Sequence, residues 1–473
     1  MSYLNEFAEK AIEYSASFGC HYADVRAETI TKRWIVIENG EIEHSSSKED
    51  RGIGIRVIKN GAWGFISLSN PSTIEDVKVA VREVIKSTQH YSEKKKEKVR
   101  ITDIRTNIDD IVYPVLKKPD LDSLIKIGLD CDSVIREEKR IIKSFVALSY
   151  STTAKYFVNS DGSKIKQEYT DVIADIMATA HESGLTQSVS TTEGGRGGLE
   201  KIVDDVDVIE SAKYVSKNAA KLIDVHPVKE TKTQVVLNPD FVSLLTHEIL
   251  GHPSEGDRVL GKEMAWAGGA WWAGKLGQKI GSENLNVFDD PTIKGSLGCY
   301  LYDDEGVKTS RTNLIENGVL KSHLQSRETA EIFKSNTTGN MRATSYKFMP
   351  LIRMACTCIA AGDWDPDEMI RDVKDGYLIS NMKVPSIDMK RYNWSISCQF
   401  AHKIEHGEIK EMVRDVIVMG VAPEFFKSID ACGNDFTVRP ITNCGKGDPM
   451  QSMIMGNGGP SIKGVAIVKS VEQ

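Results

Sequence analysis

Apolar residues recur at helical spacing in four stretches of the first half of the chain. Leu4, Phe7, Ala8, Ala11 and Ile12 mark one face of a helix over 4–18. A capping-box pattern at Ser72-Thr73-Ile74-Glu75 opens a second helix reaching about Ser87. Leu121, Leu124, Ile125 and the run 128–135 mark a third, and 206–223 a fourth. Between them lie short β-rich runs at 23–27, 34–38, 53–58 and 63–67. Asn39-Gly40 and Asn60-Gly61 punctuate them as hairpin turns. Further strands are expected at 141–150, 155–159 and 164–179, the last two joined through Ser160-Asp161-Gly162. The glycine-rich run 193–198 lacks the Gly-Lys-Ser/Thr ending of a phosphate loop and reads as a flexible surface loop. After Val225-His226-Pro227 the chain becomes richer in strands and glycine. Its one strong helix runs from Pro239 to about Gly251, capped by Asn238, with Phe241, Leu244, Leu245 and Ile249 on its apolar face.

The pattern predicts an α+β protein in three parts. Residues 1–105 and 106–228 form N-terminal modules of helices on antiparallel sheet, the first ending in the mixed charge run 92–100. Residues 229–473 form a β-rich, metal-binding C-terminal domain. A length of 473 residues fits two to four domains. With 40% apolar and 27% charged residues the chain carries a sizeable core. The net charge of −7 and the lack of a basic stripe argue against nucleic acid and anionic membrane as partners. No signal peptide, no membrane-length apolar run and eight scattered cysteines together suggest a reduced, cytoplasmic protein.

The chemistry concentrates at HEILGHPSEGD, residues 247–257. The familiar zinc signature sets two histidines four residues apart on one helix face, with a glutamate beside the first. Here His247 and His252 are five apart. Five helical residues turn through about 500°, a net rotation of about 140°, so a straight α-helix cannot aim both at one ion. The bend belongs near Gly251, either as a helix end or as a π-bulge. Glu248 stands where a general base would, and Glu255 and Asp257 are candidates to orient the imidazoles. A catalytic zinc takes three protein ligands, so a third must come from elsewhere. Cys432 and Cys444 both precede a glycine, and composition does not choose between them.

The stretch 247–257 resembles the active-site segment of the TldD/PmbA family of metalloproteases. RGIGIRVIKNGAWGF (51–65), FVNSDGSKI (157–165), the segments 303–330 and 343–362, and NCGKGDPMQSMIMGNGGP (443–460) are similar to further family motifs in the same order. Gly447-Asp448 and Ala355-Cys356 depart from the family pattern. The resemblance implies that His247, His252 and Cys444 bind Zn2+ and that Glu248 is the catalytic glutamate. It implies hydrolysis of unfolded or small extended peptides, in a homodimer or with a TldE/PmbA-like subunit. The alternatives are a catalytically inactive peptide-binding partner subunit and a cysteine hydrolase built on Cys444. Other candidates are weaker: His181, His226, the pair His402 and His406 (read as a turn between strands), and Arg353 as a salt-bridged structural residue. Trp271 and Trp272, in GGAWWAGKLG, either form a mobile flap over the cleft or pack on the core.

Overall fold

The computed structural model describes residues 2–262 and 269–470. Its first half is built on one sheet. Strands β1 (Tyr22–Glu38), β2 (Glu41–Lys59) and β3 (Ala62–Ser69) follow helix α1 (Ser2–Ser17) and precede α2 (Ile74–Lys94). After β4 (Ile108–Val112) and α3 (Leu121–Arg136) come β5 (Ile141–Asn159), β6 (Lys164–Glu182) and β7 (Leu185–Arg196). The spatial order is β3-β2-β1-β5-β6-β4, with β7 also on β6. The sheet thus draws strands from both sides of residue 105. Both Asn-Gly pairs are tight turns with positive φ at each residue: 51° and 90° at Asn39 and Gly40, 52° and 73° at Asn60 and Gly61.

Two differences from the sequence pattern have physical causes. The runs 23–27 and 34–38 are one strand, because the half-exposed residues between them pair on both edges, with β2 and with β5. The glycine-rich stretch 193–198 is not a flexible surface loop. It completes β7 and turns inside the protein, with the Arg196 guanidinium bonded to Asp171 at 2.8 Å and Glu193 to Arg439 at 2.8 Å. A Cβ on Gly195 would stand 2.3 Å from the Gly295 carbonyl oxygen, so this glycine serves close approach, not mobility. Helix α4 (Glu200–Val203) and α5 (Val208–Leu222) follow; α3 and α5 cover one part of the sheet, α1 and α2 another.

The C-terminal part contains a closed ring of strands. Thr231–Leu237, which is β8, lies between Asp375–Ile387 and Ile462–Ser470; Val416–Val421 and Asn393–Glu405 complete the circuit back to Asp375–Ile387. A second sheet of six strands ends in Cys356–Ile359, Gln451–Gly459 and, at its edge, Thr437–Lys446. Helix α6 (Pro239–Thr246) is held between that sheet and the ring strand Asp375–Ile387. Phe241, Leu245 and Ile249 enter the main core with Ile379, Trp394 and Met455. No described helix is long and apolar enough to cross a membrane.

Candidate metal centre

The site begins with the cap of α6. Asn238 Oδ1 accepts from the Phe241 amide at 2.9 Å, and Pro239 occupies the first turn, where its missing N–H costs nothing. The helix is regular to Thr246 and then widens into one π-turn, His247–Gly251. The His252 amide donates to the His247 carbonyl, five residues back. That extra residue in the turn cancels the rotation that would have driven the histidines apart. Their ring centroids lie 4.7 Å apart, at 76°.

The surroundings hold the wide turn in place. An added Cβ on Gly251 would stand 1.9 Å from Met354 Sδ. Carbonyls in and just after the turn find side-chain donors: Trp271 Nε1 on Ile249 at 3.0 Å, Ser254 Oγ on Leu250 at 2.7 Å, Trp272 Nε1 on Pro253 at 2.6 Å. Trp271 and Trp272 are therefore core props of the bulge and not a flap; Gly268, the first glycine of that loop, lies outside the described residues.

Cys444 comes from the edge strand Thr437–Lys446, just past a break in register between Ile441 and Cys444. The buried Arg353 Nη2 donates to the Cys444 carbonyl at 2.5 Å, and its Nη1 to the Gln451 carbonyl at 3.2 Å. Arg353 thus braces the turn of this hairpin through backbone carbonyls, where a salt bridge was expected. The ligand atoms of His247, His252 and Cys444 all lie within 4.8 Å of one another, and all three residues are buried. Among the described residues this is the one cluster of three or more potential metal ligands.

Each imidazole has its far nitrogen engaged. His247 Nδ1 is 2.9 Å from Asn457 Oδ1, and His252 Nδ1 is 3.1 Å from Glu255 Oε2. This leaves both Nε2 atoms for the centre, as ligating histidines require. Glu255 is buried, which opposes its charge, but Lys446, His252 and Arg258 hold its carboxyl well below the usual range. Lys446 Nζ also bonds Asp257 at 2.8 Å. Of the two carboxylates, Glu255 orients a histidine and Asp257 balances the lysine. Burial opposes the Cys444 thiolate, yet His247, His252 and Arg353 bring the thiol well below its ordinary value. Burial likewise disfavours a charged His247, but the Cys444 thiolate raises it to about 9.

Glu248 turns toward a cavity of about 510 Å3 whose wall also carries His247, His252, Cys444 and Arg391. Arg391 Nη1 forms an ion pair with the Glu248 carboxylate and donates to the Glu248 carbonyl at 3.2 Å. Burial would raise the Glu248 carboxyl; Arg391 and the two histidines lower it below its ordinary value. Arg391 and Asn457 escaped the sequence pattern. Asn457 sits inside the closing motif 443–460 but carries no spacing signal, and Arg391 lies in a polar turn with left-handed φ of 59°. The other histidines stay apart. His181 pairs with Thr186, His402 packs on Phe400, and His406 is a turn residue with φ of 52°.

The chain is similar along nearly its whole length to known metallopeptidases. Residues 230–464 match the PmbA/TldA metallopeptidase C-terminal domain, 114–223 the central domain and 23–88 domain 1. A metalloprotease of Methanocaldococcus jannaschii is 32% identical over 454 residues, covering 94% of this chain and 96% of the relative. A zinc metalloprotease TldD homolog of Saccharolobus solfataricus is 28% identical over 474 residues, covering 96% and 97%. In fold, the chain resembles the crystal structure of TldE from Thermococcus kodakarensis, with a TM-score of 0.75 at 19% identity over 98% of this chain and all of that one. A putative modulator of DNA gyrase from Thermotoga maritima gives a TM-score of 0.80 at 18% identity, covering 98% and 99%.

Proposed function

The chain belongs to the PmbA/TldD metallopeptidase family, and from that premise we propose a zinc-dependent peptidase of unfolded or small extended chains. His247, His252 and Cys444 are its metal ligands and Glu248 its general base. The observation that carries this reading is the convergence of three ligand atoms within 4.8 Å, on a cavity that Glu248 also lines. The donor set suits zinc: two imidazole nitrogens with oriented rings, one thiolate, and an open side toward the cavity.

When bound, the ion would supply Lewis-acid polarisation of the scissile carbonyl and acidify a water. The chain's own groups do the rest. The Glu248 carboxylate takes a proton from the attacking water as its oxygen adds to the carbonyl carbon. The proton then passes to the amine nitrogen as the C–N bond breaks. Arg391 holds the carboxylate against the cavity wall during both transfers.

Substrate enters as an extended chain. Thr437–Lys446 is an edge strand, and main-chain pairing with such an edge binds peptides with little side-chain preference. The same reading places the protein in the cytoplasm as a dimer, with a second copy or a TldE-like subunit. Replacing Glu248 by Gln tests the assignment. Zinc content should stay at the wild-type level while hydrolysis of an unstructured peptide falls by about 10²–10⁴-fold. Undiminished hydrolysis in that variant would remove Glu248 from the mechanism.

A further inference from the structure

A second cavity, of about 740 Å3, adjoins the one at the metal centre. The two share Thr191 and Asp240 in their walls. Arg439 spans these shared residues: Nη2 donates to Thr191 Oγ1 at 3.0 Å and Nε to Asp240 Oδ1 at 2.9 Å. Its remaining bonds go to the Thr192 carbonyl at 3.1 Å and to Glu193, and the Glu193 and Asp240 carboxylates balance its charge. The guanidinium is a saddle between two parts of one groove.

A single strand edge follows that groove. Pro440, Ile441, Thr442, Asn443 and Cys444 line the first cavity, while Thr437 and Arg439 line the second. The opposite wall is β7, itself paired only with β6, which gives Thr191 to both cavities. Beyond the saddle the second cavity runs under α5, past Ser211, Lys213, Tyr214 and Lys217.

We propose that the second cavity continues the substrate groove and receives a peptide segment remote from the scissile bond. The inference rests on the peptidase reading and adds a location and a length. An extended chain rises about 3.3 Å per residue, so the path from Cys444 to Thr437 spans roughly 23 Å, or about seven substrate residues. Such a segment is held through its main chain and needs no fixed sequence. The wall charges fit this: Lys213 is paired with Glu210 at 2.5 Å, Arg439 with Glu193 and Asp240, and the two further wall charges, Lys217 and Asp207, are of opposite sign, so no strong field selects one residue type.

The test is binding by zinc-loaded Glu248→Gln protein, read by fluorescence anisotropy. One labelled peptide is short enough for the first cavity alone; two others extend it by roughly three residues, the strand length from Pro440 to Thr437, at the amino or at the carboxyl end. One extended peptide, and only one, should bind at least about tenfold more tightly. Ser211→Trp, which fills the second cavity from α5, should abolish that gain and leave the short peptide's affinity unchanged. Tyr214→Ala, which removes wall from the 41%-exposed tyrosine, should weaken the gain without filling the space. Equal affinity for all three peptides overturns the proposal while the peptidase reading stands. An undiminished gain in Ser211→Trp also overturns it. No binding of any peptide overturns both.

Discussion

Cys444 Sγ lies 3.4 Å from His252 Nε2, although 192 residues separate them in sequence. The contact joins the end of a bulged helix to the edge strand of a sheet. Neither element makes a metal site alone. Removing the thiol by Cys444→Ala should therefore cost far more than a contact: two histidines remain where a zinc needs three ligands. Zinc affinity is expected to fall by more than about 100-fold, beyond the range of second-sphere losses. Competition with a chromophoric chelator measures it. Affinity at the wild-type level would exclude Cys444 as a ligand.

The groups behind the histidines should matter less, but measurably. Glu255 receives His252 Nδ1 at 3.1 Å, Arg258 Nε at 3.2 Å and Lys446 Nζ at 3.2 Å. Glu255→Gln replaces the charged acceptor that orients the imidazole with a weaker neutral one and leaves Lys446 with Asp257 and the Ile352 carbonyl. About a 10–100-fold loss of zinc affinity follows from the weakened orientation. Because the cluster is buried, about 3–5 kcal/mol of stability should go with it. Denaturant unfolding of the metal-free protein separates the two effects. An unchanged midpoint would mean that the charge network is not coupled to folding.

How much of this was legible depends on the range of the interaction that fixes each feature. The cap at Asn238, the two Asn-Gly turns and the need for a bend near Gly251 are local, and the sequence pattern marks them. Whether the bend is a helix end or a π-turn depends on Met354 and on Trp271, residues remote in the chain, and local pattern is silent there. Cys444 and Cys432 look alike in sequence. In space Cys444 faces two histidines, whereas Cys432 donates to the Asn284 carbonyl. Only the family resemblance pointed to Cys444. The stretch 193–198 misled because glycine marks both mobile loops and tight packing, and only the neighbouring backbone distinguishes them.

Gly251 provides a direct test of the bulge. Its φ is −69°, which any residue adopts, so the position requires space and not conformational freedom. Alanine would drive its Cβ toward Met354 Sδ, 1.9 Å away. Overpacking of this kind costs about 1–3 kcal/mol and should shift His252 away from the centre. Gly251→Ala is expected to lower both the melting temperature and zinc affinity. Adding Met354→Ala should restore part of the affinity by vacating the space. If Gly251→Ala alone melts and binds like the wild type, the bulge does not depend on that contact.

The pairing of thiolate and imidazolium sets the pH dependence of metal loading. Burial opposes both charges, but each is held by the other: the Cys444 thiol is well below its ordinary value and His247 is raised to about 9. An unperturbed histidine titrates near 6.5. Between pH 6.5 and 9 the metal-free native state thus keeps a proton on His247 that the unfolded chain has released. Its contribution to stability is complete below 6.5 and is lost as pH rises through 9. Metal needs that nitrogen bare, so binding in this window should expel about one proton and strengthen by up to about tenfold per pH unit. Above 9 the dependence should flatten. Calorimetric titration with zinc in two buffers of different ionisation enthalpy counts the proton directly. About one should be released at pH 7 in the wild type and fewer in Cys444→Ala, where the imidazolium has lost its partner. Equal release in both proteins would show that the thiolate does not hold the proton on His247.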